Sequence, residues 1–174
     1  DEAKALEDLY AAVAAKPTDK ELVLALARIQ HKQGRLDAAA QQYRAVIAID
    51  PRQPDAQLGL ADILIRTNDF ENARTPAATA AAALPDNAQA QYLHGRILEH
   101  DKQYDQALAA YGNAVRLDAK VAGAHYGMGR ILREQKKDVP GALASMEKAV
   151  ALDAADPGIL TELGAVLYES KQLD

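Results

Sequence analysis

The 174-residue chain has no cysteine, no tryptophan and a single phenylalanine, Phe70. Without cysteine it can form neither a disulfide nor a thiolate metal site, and that absence suits a reducing or an oxidising compartment equally. Apolar residues make up 49% of the chain, but many of them are alanine. Apolar content without bulk points to closely packed helices rather than one large core, since alanine is the best helix former. No apolar run is long enough to cross a bilayer. Residues 1–16 are amphipathic and acid-containing, unlike a signal peptide. Nothing within the sequence therefore fixes the compartment. The formal net charge of −5 argues against non-specific nucleic-acid binding. The chemistry-bearing residues are scarce as well. Ser145 and Ser170 have no nucleophile constellation around them. His31, His94, His100 and His125 form no i,i+4 pair, so no metal site is expected. No glycine-rich phosphate loop is present. These features describe a chain that is not an enzyme and needs no cofactor.

What the chain does have is a repeated phrase. "YLHGRIL" at 92–98 and "YGMGRIL" at 126–132 share Tyr-x-x-Gly-Arg-Ile-Leu and start 34 residues apart. The same interval links Ile29, Ile63, Ile97 and Ile131, and also Pro51 and Pro85; Ala39, Ala73 and Ala107 keep it too. Ala142 and Val166 continue these columns after a step of 35. Self-similarity at this period marks a repeat array. Each unit reads as two helices. In "DKELVLALARIQHK", Leu22, Leu26 and Ile29 are at helical spacing, with Asp19 placed to cap the start. Gly34 breaks that helix. Leu36, Ala39, Ala40, Tyr43, Val46 and Ile47 then share a face of a second helix, which Asp50-Pro51 ends. One such pair cannot bury its apolar face alone, whereas stacked pairs can. Two irregularities interrupt the pattern. Pro76 falls inside a predicted helix, where a bend is expected. The fourth unit also carries one extra residue, placed by the column spacing between Lys136 and Ala142.

These columns resemble the tetratricopeptide repeat. The small residue of its first helix is matched by Ala27, Ala61, Gly95, Gly129 and Gly164, and the alanine early in its second helix by Ala39, Ala73, Ala107 and Ala142. Its later aromatic is matched by Tyr43 and Tyr111 but not by Ala77 or Met146. The aromatic expected early in the first helix is absent, with Val23, Gln57, Gln91 and His125 in its place. The resemblance implies an all-α fold, a right-handed α-solenoid of antiparallel helix pairs. The whole chain, 1–174, then reads as a single array. Residues 1–16 supply the second helix of a preceding repeat, with Ala5, Leu9, Ala12 and Pro17 in phase. Four repeats follow at 20–53, 54–87, 88–121 and 122–156, and 157–174 is the first helix of another. A piece of a longer array is the expectation, and the alanine- and glutamine-rich style suits a bacterial protein.

In this family the first helices line a concave groove. The resemblance implies that Arg28, Leu58, Asp62, Tyr92, Arg96, Tyr126, Arg130, Arg133 and Tyr168 face it. Leu24, Ile65, His31, Glu99 and His100 would fall on the same stripe. The Lys/Asn/Arg set by which chaperone-binding members hold a terminal carboxylate is missing, since the matching positions hold Leu24, Arg28, Gly59, Gln89 and Leu93. Tyrosine and arginine are enriched at binding hot spots. The expected function is a protein–protein interaction scaffold whose partner is a protein or peptide segment, acidic and carrying apolar anchors. No nucleic acid and no membrane insertion are expected. Two alternatives stand beside it: a structural spacer or self-assembly module, and a regulatory arm of a larger envelope, secretion or polysaccharide-export machine.

Overall fold

The computed structural model describes residues 2–171. The side chain of Ala5 and residues 172–174, both used in the sequence reading, lie outside the described residues. Ten α-helices follow one another: α1 (Glu2–Ala15), α2 (Lys20–Lys32), α3 (Leu36–Ile49), α4 (Pro54–Arg66), α5 (Phe70–Ala83), α6 (Ala88–His100), α7 (Tyr104–Leu117), α8 (Ala122–Ile131), α9 (Val139–Leu152) and α10 (Pro157–Ser170). No strand occurs among the described residues. The helices form two compact units, Asp1–Leu84 and Pro85–Asp174. In the first, α2 packs on α3, α3 on α4 and α4 on α5; in the second, α6 packs on α7, α7 on α8, α8 on α9 and α9 on α10. This is the all-α, helix-pair fold that the resemblance implies.

The helix ends are written locally. The Asp19 carboxylate accepts from the backbone N–H groups of Glu21 and Leu22, as its place before the apolar run implies. Asp69, Asn87, Asp138 and Asp156 cap α5, α6, α9 and α10 in the same way. The first helix of each pair ends on a left-handed residue: Gly34, Asn68, Lys102 and Lys137, with φ of 74°, 61°, 61° and 57°. After the first three, the next N–H returns to a carbonyl five residues back: Arg35 to Gln30, Asp69 to Leu64 and Gln103 to Leu98. After the fourth, Asp138 instead donates to Leu132, one residue further back.

That difference corrects the position of the extra residue. It does not lie in the segment after Lys136. It is absorbed inside the helix, where α8 widens into a π-turn over Leu132–Lys136. A π-turn takes up one residue without ending the helix. Pro76 also proves milder than a break, because α5 runs through it from Phe70 to Ala83 with the ring buried.

The cores are built around alanine and two tyrosines. Ala27, Ala39, Ala61, Ala73, Ala107 and Ala142 are fully buried. Tyr43 and Tyr111 are buried as well, at 3% and 0% exposure. Each tyrosine ring needs glycine beside it. A Cβ on Gly59 would lie under 3.0 Å from the Tyr43 ring, and one on Gly95 or Gly127 equally close to opposite edges of Tyr111. The missing early aromatic is replaced by a polar tie. Gln57 Nε2 donates to the Pro51 carbonyl at 2.8 Å, and Gln91 Nε2 to that of Pro85 at 3.3 Å. His125 Nε2 donates to the Ala119 carbonyl at 3.2 Å. These donors recur at the repeat interval and fasten α4, α6 and α8 to the loops before them.

Candidate functional site

In the second unit, α6, α8 and α10 carry the predicted Tyr–Arg residues. Tyr92 and Arg96 are one helical turn apart on α6, and Tyr126 and Arg130 hold the same relation on α8. Such pairs share a helix face. The Arg96 Nη1 donates to the Tyr92 hydroxyl at 3.1 Å, and its guanidinium carbon lies 6.0 Å from the Tyr92 ring centre. The Arg130 guanidinium carbon lies 5.6 Å from the Tyr126 ring centre. Both distances suit a cation–π contact. Tyr92 rests against the backbone of α8, where a Cβ on Gly123 would collide with the phenol end. Tyr126 reaches α10 in the same manner, its hydroxyl 3.4 Å from where a Gly158 Cβ would sit. Tyr168 on α10 is 68% exposed, the most exposed large hydrophobic side chain among the described residues.

The arginines are not bare charges. Arg130 Nη2 lies 3.4 Å from Glu99 Oε1, and Glu99 Oε2 accepts from the Tyr111 hydroxyl at 2.6 Å. Arg133, on the π-turn, meets Glu162 at 2.8 Å, Glu169 at 3.0 Å and Glu134 at 3.2 Å, with its side chain only 18% exposed. Burial opposes the charge on Arg96 and Arg130. Tyr92, Tyr111 and Glu99 around the first, and Glu99, Tyr126 and Glu134 around the second, together outweigh it, so both guanidiniums hold their protons more tightly than usual. Burial, reinforced by Glu99, pushes the Tyr111 hydroxyl well above its ordinary range. Sequence reasoning gave Glu99 no structural role and missed Glu162 altogether. Glu162 and Glu169 are seven residues apart on α10, which puts them on one helix face, and that spacing is the signal that points to them.

In the first unit, Arg28, Leu58 and Asp62 come from α2 and α4. Arg28 Nη2 pairs with Asp55 Oδ2 at 2.7 Å, with both side chains about half exposed. His31 Nε2 lies 3.1 Å from Asp62 Oδ2, and Arg66 Nη1 is 3.7 Å from the same oxygen. The His31 Nδ1 faces the Tyr43 hydroxyl at 3.4 Å, and the two rings meet edge to face with centres 5.9 Å apart. With Nε2 donating to Asp62, the neutral ring's Nδ1 accepts from Tyr43. Leu58 is half-buried, whereas Leu24 and Ile65, expected on the groove stripe, are each 2% exposed. They belong to the core, because the stripe fixes a helix direction but not a depth, and a branched apolar side chain at its margin turns inward.

Among the described residues no group of three or more His, Asp or Glu side chains could hold a metal ion, and no helix is long and apolar enough to cross a membrane. The sequence matches two tetratricopeptide repeat profiles, one over residues 31–97 and the other over 3–54 and 92–158. A stretch of 63 residues is 43% identical to cellulose synthase operon protein C of Xanthomonas axonopodis pv. citri (strain 306). That stretch is 36% of this chain, and the match spans about 4% of the length of that relative. Among solved structures, YrrB, "a TPR protein with an unusual peptide-binding site", is similar with a TM-score of 0.75 at 18% identity, covering 95% of this chain and 85% of that one. MamA from Desulfovibrio magneticus RS-1 is similar with a TM-score of 0.73 at 22% identity, covering 89% and 87%. PilF of Pseudomonas aeruginosa is similar with a TM-score of 0.70 at 22% identity, covering 90% and 72%.

Proposed function

The chain belongs to the tetratricopeptide repeat family, and we propose on that footing that it is a scaffold holding a segment of a partner protein on the face that carries Tyr92, Arg96, Tyr126, Arg130 and Arg133. The family and its fold support a protein-interaction role in general. The observation that carries the finer reading is the Tyr–Arg ladder, in which adjacent repeats present a phenol and a guanidinium plane side by side. Such planes offer rigid contact area with polar rims, suited to an acidic segment with apolar anchors. Glu99, Glu162 and Glu169 already meet much of the positive charge, so the partner's apolar anchors contribute the larger share of affinity here. Tyr168 extends the surface on α10, while Arg28, Leu58 and Asp62 offer a separate polar face on the first unit. YrrB, with its peptide-binding site, is a precedent for this use of the fold.

The test is titration with the natural partner. Arg96→Glu and Tyr126→Ala should each weaken binding by more than about 1 kcal/mol, while the exposed Gln106→Ala on α7 leaves it unchanged. Unchanged affinity in both face variants would move the partner elsewhere. Concentration-dependent self-association in light scattering would favour an assembly module instead.

The likeness to cellulose synthase operon protein C favours a second reading, in which the array is an arm of a polysaccharide-export machine. Its test is co-purification of the parent protein with the other products of such an operon.

A further inference from the structure

The first unit holds a cleft of about 510 Å³ lined by Arg28, His31, Lys32, Gly34, Tyr43 and Arg66. We propose that this cleft receives a carboxylate from an acidic polypeptide segment. The proposal rests on the scaffold reading and assigns the acidic part of the partner to this unit.

Charge is the first argument. The chain as a whole is negative, at −5. In this cleft three permanent cations, Arg28, Lys32 and Arg66, face two carboxylates, Asp55 and Asp62. Lys32 has no ion-pair partner among the described residues. The one surplus cation matches a singly charged carboxylate, whereas a phosphate dianion would turn the cleft negative.

The second argument is how loosely the cations are held. The Arg28 and Arg66 side chains are each 56% exposed, and Arg66 stands 3.7 Å from Asp62. Exposed pairs of this kind contribute little, so an incoming carboxylate redirects them at small cost. The arginines of the second unit differ, since Arg133 is held by three carboxylates and Arg130 faces a mostly buried Glu99.

The third argument is access. Gly34 has φ of +74°, and nothing lies within 4 Å of where its Cβ would sit. The rim beside Lys32 is therefore open to a chain. Arg28 and Lys32 are one turn apart on α2, and Arg66 supplies a planar donor from the end of α4. A carboxylate between them meets donors from two helices.

The test uses a fluorescein-labelled peptide alternating Glu with Leu, and its Gln-for-Glu counterpart, titrated by anisotropy into the 174-residue protein. The acidic peptide should bind, more weakly as salt rises, and shift the backbone amide signals of Lys32 and Gly34. Lys32→Gln with Arg66→Gln should lose about tenfold in affinity, and circular dichroism should show that the variant stays folded. Equal affinity for the Gln peptide, or no loss in the double variant, would overturn the proposal. Displacement of the peptide by millimolar inorganic phosphate would overturn it in favour of a small-anion site. If Tyr126→Ala abolishes peptide binding while the Lys32/Arg66 variant does not, the anion cleft falls and the scaffold reading stands. If neither this peptide nor any natural partner binds the wild-type protein, both fall.

Discussion

Tyr43, His31 and Asp62 of the first unit stand two repeats before Tyr111, Glu99 and Arg130 of the second. In both units a buried tyrosine hydroxyl reaches the residue at the end of a first helix, and that residue meets a charged group on the next first helix. The placement is kept while the polarity is reversed. Histidine meets aspartate in one unit; glutamate meets arginine in the other. The packing thus requires a hydrogen-bond acceptor for the tyrosine and a complementary group across the gap, but no particular sign. Sign decides what remains for a partner. Where the inner group is histidine, the neighbouring Arg28, Lys32 and Arg66 outnumber their carboxylates. Where it is glutamate, the cations are met from within and aromatic planes dominate the face.

The comparison can be broken most severely at the tyrosines. Tyr111→Ala should cost about 3–5 kcal/mol by opening a cavity between Gly95 and Gly127, and Tyr43→Ala should cost an amount in the same range by opening one beside Gly59. Urea unfolding would measure both, and equal small losses would show that the rings are not central to the cores. Arg133→Ala should cost about 2 kcal/mol by leaving Glu162 and Glu169 on one face of α10 without their shared cation. Arg28→Ala, which breaks an exposed pair, should cost well under about 1 kcal/mol in the same assay.

Alkaline pH gives a subtler test. Burial raises the Tyr111 hydroxyl above its ordinary 10.0, and Tyr43 shifts in the same direction. The unfolded chain therefore loses these protons first. The stabilisation is complete below about pH 10 and declines above it, approaching about 1.4 kcal/mol per pH unit for Tyr111, with Tyr43 acting in the same direction. Tyr111→Phe should flatten part of that decline in pH-dependent melting, and Tyr43→Phe the rest. A sharper probe reverses the polarity itself. Glu99→His combined with Arg130→Asp rebuilds the first unit's polarity in the second, and should recover about 1 kcal/mol relative to the sum of the single changes. Strict additivity would mean that the two side chains do not act as a pair.

The helix pairs were legible in the sequence because helices that stack at a fixed distance need small residues at a fixed interval. Ala39, Ala73, Ala107 and Ala142 announce that interval directly. Helical spacing also paired Tyr92 with Arg96 and Tyr126 with Arg130, each pair on one face of its helix. What stayed hidden was the pairing of charges. Arg133 meets glutamates 29 and 36 residues away, across the next hairpin, and no periodicity reports which of several carboxylates a flexible side chain will choose. Depth was hidden for a related reason: Leu24 and Leu58 occupy the same column, yet Leu24 is buried and Leu58 only partly so. The extra residue was placed one segment too late, between Lys136 and Ala142 instead of within Leu132–Lys136, because columns mark only the residues that must be small or apolar.

The π-turn over Leu132–Lys136 has a bearing on how such chains change over generations. One added residue in a regular helix turns the rest of that helix by about 100°, which would misdirect the residues that lead into the next one. Here the error is cancelled within a single turn, and Ala142, Met146 and Val166 still point inward, each fully buried. An array able to correct its phase in this way can accept copying slips one residue long. A lineage of such proteins is then free to lengthen and drift without each accident having to be removed by selection.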